Sequence, residues 1–284
     1  MEKLLKKFYY LNTMGRIEGP PMAGMLLLAG AVFVSPQLSL NIVLAAFCMF
    51  FICMNYVYLI NGVTDTAEDS INSPERPLSK GVITVREGWI YCQILFGLTV
   101  IYPFFLHNSW AERSLVWIIL LMGYFYSTPP VRFKRIPILA TIYLVINFNL
   151  PIILGYWMAS ESTVLPPFIL STVFLFLANM PLKDYGDRLG DEQAGIKNWV
   201  QVAGGTRQLL RLSIGISLLG AIVCFFALPQ DLKFRWLWVL LPLLPALNIT
   251  FHQLLGFNMD KMFTHGVRSL ILGAVVFVVG IILG

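Results

Sequence analysis

The chain has 284 residues, of which 57% are hydrophobic and only 12% charged, against about a quarter charged in an ordinary soluble domain. The apolar residues come in blocks of about 17–25, the length that a bilayer-crossing helix requires, which excludes a water-soluble globular domain and implies an all-α membrane protein. The net charge of +5 does not point to nucleic acid, because the basic residues lie between apolar runs rather than along one soluble face.

Residues Met1 to Tyr10 form a short basic, aromatic segment. It lacks the apolar stretch and cleavage site of a signal peptide and reads as an interfacial anchor. Nine spans follow, at roughly 18–36, 39–60, 88–106, 112–127, 137–159, 163–180, 208–228, 236–256 and 266–284. Together they make one membrane domain over 1–284, with pseudo-repeat halves at roughly 18–127 and 137–256. Pro151, Pro242 and Pro245 fall inside spans, where each is expected to kink its helix. Cys48, Cys53, Cys92 and Cys224 all sit in apolar runs, without metal-ligand spacing, and read as packing residues.

The connections fix orientation. On one side lie the N-terminus and the loops after even-numbered spans, with 17 of the 20 Lys and Arg and 12 of the 15 Asp and Glu. Such asymmetry marks the cytoplasmic side. The N-terminus is therefore expected in the cytoplasm and the C-terminus, after nine spans, on the opposite side. The two longest connections, about 61–87 and 181–207, are both cytoplasmic, so the chemistry should face that way.

Each long connection opens on a row of acids. The first begins Asn61-Gly62-Val63-Thr64-Asp65-Thr66-Ala67-Glu68-Asp69, the second Lys183-Asp184-Tyr185-Gly186-Asp187-Arg188-Leu189-Gly190-Asp191. Asn61, Asp65 and Asp69 are four apart, and Asp184, Asp187 and Asp191 three then four apart, so on a helix each set shares one face. Asp65/Asp69 and Asp187/Asp191 are offset by the same 122 residues and follow spans of the same orientation, as two matched halves would require. Inverted-repeat transporters would instead place corresponding elements on opposite sides.

Like charges four residues apart repel, and a divalent cation reverses that sign. Mg²⁺ suits one or two carboxylates together with phosphate oxygens and water. Two such rows could hold Mg²⁺ against a diphosphate and neutralise it as a leaving group. A diphosphate also needs cationic donors. Arg76 follows the first row in Pro74-Glu75-Arg76-Pro77-Leu78, Arg132 and Lys134 follow the stiff Pro129-Pro130 pair, and Lys183 immediately precedes the second row.

On these residues the chain resembles the UbiA superfamily of intramembrane prenyltransferases. The resemblance rests on Asn61-x-x-x-Asp65-x-x-x-Asp69 with Arg76-Pro77-Leu78, on Tyr126-Ser-x-Pro-Pro-x-Arg132-x-Lys134, and on Lys183-Asp184-x-x-Asp187-x-x-x-Asp191-x-x-x-Gly195-Ile196. It implies a nine-helix bundle around a central cavity open to the cytoplasmic side and laterally to lipid. It also implies Mg²⁺-dependent ionisation of a prenyl diphosphate and capture of the allylic cation by a small acceptor, aromatic or glycerol-phosphate-like. By position, Asn61, Asp65 and Asp69 match the first metal motif, and Asp187 and Asp191 the second, accompanied by Asp184. One departure is Gly62, where many members carry Asp, which leaves the first motif a carboxylate lighter.

An apolar tail and a cation require an interior that excludes water. Asn55, Tyr126, Asn147 and Tyr185 are candidates to line the substrate pocket, although Asn147 and Asn149 point about 160° apart on a helix, so that only one faces a cavity. Interhelical hydrogen bonding is the competing role for these amides. Two other functions remain open. A cyclase of the same superfamily would need identical aspartates and no acceptor. A cation-coupled carrier is disfavoured, because no span carries a mid-membrane acid.

Overall fold

Long runs of Leu, Ile, Val and Phe can satisfy their backbone in lipid only by bonding within the segment. The computed structural model describes residues 7, 9–11, 19–72, 74, 76–193, 195 and 197–283. All regular elements among these residues are helical. The expected N-terminal anchor lies largely outside the described residues, as do Glu75 and Ile196. Six helical stretches are long and apolar enough to cross a membrane: Leu40–Thr64, Val85–Leu106, Pro137–Ser160, Thr206–Ala227, Arg235–Leu255 and Met259–Ile282. Phe105, Phe226 and Leu254 stand exposed on such helices, as lipid-facing side chains do. This is a multi-pass integral membrane protein.

The described chain opens with α1 (Gly19–Val34), whose apolar stretch is shorter, and continues into a span built from α2 (Leu40–Cys48), a π-helical turn (Met49–Met54) and α3 (Asn55–Thr64). After α4 (Thr66–Asn72) comes α5 (Val85–Ile101), which begins three residues before the expected span. A capping box sets that start: Glu87 N donates to Thr84 Oγ1 at 3.2 Å, and Thr84 N donates to Glu87 Oε2 at 2.9 Å. Then follow α6 (Pro103–Leu106), α7 (Trp110–Ser127), α8 (Pro137–Ser160), α9 (Ile169–Gln193), α10 (Trp199–Val202), α11 (Thr206–Ala227), α12 (Arg235–Leu240), α13 (Leu244–Leu255) and α14 (Met262–Leu283).

The chain divides into two compact units, one of Met1–Phe133, Leu150–Val164 and Leu270–Gly284, the other of Lys134–Asn149 and Leu165–Ser269. In the first unit α1 meets the second half of α8 with almost nothing between the backbones. A Cβ on Gly30 would lie 2.1 Å from the Ile152 carbonyl oxygen, and one on Gly155 would lie 1.9 Å from that of Leu27. Only glycine permits this approach, the small-residue packing that membrane helices use where lipid removes the hydrophobic drive between them.

In the second unit the first half of α8 packs on α9. The Phe148 and Phe176 rings stack 5.2 Å apart, and Thr172 Oγ1 donates to Asn149 Oδ1 at 2.5 Å. Asn149 is thus the amide that bonds between helices. Asn147 is 1% exposed, and its Oδ1 has no hydrogen-bond partner among the described residues.

Two sequence expectations give way to the packing. The sequence predicts the sixth span at 163–180, but its helix starts only at Ile169, after Pro166 and Pro167. The connection expected from 181 remains helical to Gln193, with Pro181 inside the helix. A proline removes one donor and crowds the preceding turn, but packing carries the helix past it. Leu182 is buried with Leu210, Ile249 and Met262, and Ser213 Oγ donates to the Ala178 carbonyl at 2.5 Å in the turn before the proline. Similarly, Pro151 sits within a continuous α8, whereas Pro242 lies in a 3₁₀ turn, Leu241–Leu243, between α12 and α13.

Candidate active site

The first motif straddles a bend. At Asp65 the backbone leaves the helical region, with φ −108° and ψ 15°, before α4 resumes. The bond ladder survives it, Asp65 N reaching Asn61 O at 3.0 Å and Asp69 N reaching Asp65 O at 2.8 Å. Asn61, Asp65 and Asp69 are all buried. Burying carboxylates without partners would be costly, and the first unit supplies the partners. Asn61 Nδ2 donates to Asp65 Oδ2 at 2.7 Å. Arg132 Nη2 sits among Asp65 Oδ1 at 3.1 Å, Glu68 Oε1 at 3.0 Å and the Thr64 carbonyl at 3.2 Å. Arg76 pairs with Asp69.

Arg132 reaches this position from a turn in which its own φ is +43°, and its N–H donates to the Thr128 carbonyl at 3.0 Å. The structure therefore gathers Asn61, Asp65, Asp69, Arg76 and Arg132, five of the residues singled out in the sequence. It adds Glu68, which sequence reasoning passed over although its i,i+3 spacing from Asp65 was a signal. Asn55, at the start of α3, and Tyr126, in the last turn of α7, are buried.

The second motif is organised on the far half of α9. Lys183 Nζ donates to Asp187 Oδ2 at 2.7 Å, one turn along the helix. Asp184 Oδ2 accepts from Trp199 N at 2.9 Å, and Asp191 Oδ2 accepts from Asn198 Nδ2 at 3.4 Å. Burial pushes the Asp191 carboxyl up to about 6, and the neighbouring Asp187 and Asp184 charges push the same way against Lys183 and Asn198. Tyr185 packs against the cluster around Leu182 and lies under the Arg188 guanidinium, 4.8 Å from its ring centroid. Lys134 occupies the 3₁₀ turn Phe133–Arg135 that leads into α8. Asn198 and Trp199 were missed at the sequence level, because their role depends on a return of the chain that no local pattern encodes.

The family model for the UbiA prenyltransferase family matches residues 19–261, which contain both acidic motifs. The chain belongs to the UbiA prenyltransferase family. Among curated relatives of this UbiA member, the homogentisate phytyltransferase of Synechocystis sp. is 28% identical over 230 residues, covering 77% of this chain and 70% of that one. The 2-acylphloroglucinol 4-prenyltransferase of Humulus lupulus is 28% identical over 182 residues, 59% of this chain but only 42% of the longer plant protein. In fold, the chain matches a UbiA homologue from Archaeoglobus fulgidus solved with GPP and Mg²⁺. The TM-score is 0.73 at 20% identity, over 97% of this chain and 99% of that one.

The donor set of the UbiA motifs fits a hard divalent cation. Asn61, Asp65 and Asp69, like Asp184, Asp187 and Asp191, offer only oxygen, with no thiol or imidazole among them. Among the described residues no three His, Cys, Asp or Glu side chains form a ready-made metal cluster. Mg²⁺ is ordinarily bound through one or two carboxylates plus substrate phosphate oxygens and water, and each motif can supply that number.

Proposed function

We propose that this protein transfers a prenyl group from a prenyl diphosphate to a small acceptor of the phenolic class, at the cytoplasmic ends of nine membrane-crossing helices. The observation that carries the reading is the first-motif arrangement: buried carboxylates at the end of an apolar span, each already matched to an arginine. Anionic oxygens held beside cations at a membrane boundary suit a ligand with a charged head and a greasy tail. Relatives named for homogentisate and 2-acylphloroglucinol favour a phenol over a glycerol phosphate.

Asn61, Asp65 and Asp69, together with Asp184, Asp187 and Asp191, are the residues that would hold Mg²⁺, which when bound neutralises the diphosphate as a leaving group. Arg76, Arg132, Lys134 and Lys183 bind diphosphate oxygens and stabilise the charge that grows on them as the C–O bond breaks. The apolar walls exclude water from the allylic cation, so the phenol's ring captures it, forming the new carbon–carbon bond and passing a proton to the released diphosphate. Asn55, Tyr126, Asn147 and Tyr185 are proposed to line the acceptor pocket. The buried Oδ1 of Asn147 offers an acceptor site for a phenolic hydroxyl.

The test is to supply purified protein with Mg²⁺ and prenyl diphosphates of graded length, with and without homogentisate. Prenylated phenol formed only when both substrates are present supports the reading. Cyclic terpene formed without acceptor replaces it with a cyclase. Asp65→Ala or Asp187→Ala should abolish diphosphate release in folded protein, and turnover retained by either would remove the metal assignment.

A further inference from the structure

The turn Asn198-Trp199 joins parts of the second unit that lie far apart in sequence. Asn198 is 3% exposed and works with both ends of its amide. Its Oδ1 caps α10 by accepting from Gln201 N at 3.3 Å, while its Nδ2 donates to Asp191 Oδ2 at 3.4 Å. The next residue, Trp199, also has two attachments. Its backbone N–H donates to Asp184 Oδ2 at 2.9 Å. Its indole Nε1 donates to Thr141 Oγ1 at 2.7 Å and to the Pro137 carbonyl at 3.1 Å, in the first turn of α8.

Pro137 lies three residues after Lys134, so the indole bond fixes the helix start just beyond that lysine. A side chain on α9 that must meet a ligand within tenths of an ångström needs such outer support, because flanking hydrogen bonds orient ligating carboxylates. The Asn198 side-chain amide and the Trp199 backbone N–H are suited to this role, since both donate to the carboxylates without carrying a charge that would compete with the metal for them.

We propose that Asn198 and Trp199 are positioning residues of the second metal motif. They clamp Asp184 and Asp191 to the start of α8, and so set the distance between those carboxylates and Lys134. The clamp rests on the reading of Asp184, Asp187 and Asp191 as Mg²⁺ ligands, and it makes the affinity for Mg²⁺ depend on an indole hydrogen bond that touches neither metal nor substrate.

Two variants isolate the device. Trp199→Phe keeps the ring and the backbone N–H but removes the indole donor. Asn198→Ser keeps a capping oxygen but loses the amide donor to Asp191. Trp157→Phe is the control: Trp157 Nε1 donates to the Val164 carbonyl at 2.8 Å, so an indole bond of similar length is lost at the opposite end of α8 from Pro137.

The measurement is Mg²⁺ binding by calorimetry to the full chain in detergent, in the presence of a non-cleavable diphosphate analogue, alongside KM and kcat for a prenyl diphosphate. The neutral indole bond, and the long 3.4 Å bond from Asn198 to the Asp191 carboxylate, each contribute about 1 kcal/mol, or about fivefold in affinity. Trp199→Phe and Asn198→Ser should each weaken Mg²⁺ binding by about fivefold, and Trp157→Phe should leave it unchanged. Wild-type affinity in both folded clamp variants would overturn the proposal, as would an equal loss in the control. Wild-type protein that binds no Mg²⁺ with the analogue would instead overturn the metal assignment beneath it, which distinguishes the two failures.

Discussion

Arg132→Gln tests the first motif where its electrostatics are most concentrated. One guanidinium nitrogen serves Asp65 and Glu68 at 3.1 and 3.0 Å, and the three side chains retain 12%, 9% and 13% of their exposure. Glutamine is too short and uncharged to replace it, so two carboxylates one turn apart would face each other with their counter-charge gone. Removing one partner of a buried ion pair costs about 3–5 kcal/mol. The residual solvent contact brings this case to or below the bottom of that range, about 2–3 kcal/mol.

The assay is thermal unfolding in detergent, followed by the reaction of buried Cys53 and Cys92 with a thiol-specific fluorophore. In EDTA the variant should melt below wild type by an amount matching that destabilisation. Saturating Mg²⁺ with a diphosphate analogue should return most of the difference, because a divalent cation supplies the missing positive charge. A variant as stable as wild type in EDTA would refute the reading of Arg132 as the carboxylates' counter-ion. A deficit that Mg²⁺ leaves untouched would refute the placement of the metal there.

Two further outcomes follow from the burial of Asp191 and the packing of Gly155. Burial pushes the Asp191 carboxyl up to about 6, so Mg²⁺ has to compete with a proton there, and its half-saturating concentration should rise as pH falls through about 6. Because this folded-state value is raised, the group's contribution to stability is present below the ordinary aspartate range and lost as pH rises through 6. Asp191→Asn should flatten both dependences in Mg²⁺ titrations and thermal melts between about pH 4.5 and 7.5. Separately, Gly155→Ala places a Cβ 1.9 Å from a backbone carbonyl, where no side chain can yield, so the cost should reach or exceed the usual overpacking range of about 1–3 kcal/mol. Gly97→Ala, with nothing within 4 Å of its added Cβ, should melt like wild type.

The lipid-crossing character, the acidic rows and most of their arginines were legible in the sequence, because each rests on a periodicity or a composition that acts locally. Asn61, Asp65 and Asp69 announce a shared face by four-residue spacing alone. Helical spacing put the second row on a shared face, but that one helix runs from the sixth span through Pro181 to that row was not legible. A proline argues for a break, and what overrides it is the burial of Leu182 by Leu210, Ile249 and Met262, which are 28 to 80 residues away in the chain.

The partners of the site divide in the same way. Lys183 was in view because it immediately precedes the second row, and its pairing with Asp187 follows from a four-residue spacing on one helix. Trp199 was not, since its indole finds Thr141 across 58 residues and its backbone finds Asp184 across 15. Sequence alone determined which chemical groups this protein carries and that each acidic row shares one helix face. Only the tertiary structure decided which cation neutralises which carboxylate, because those pairings depend on where distant backbone segments return.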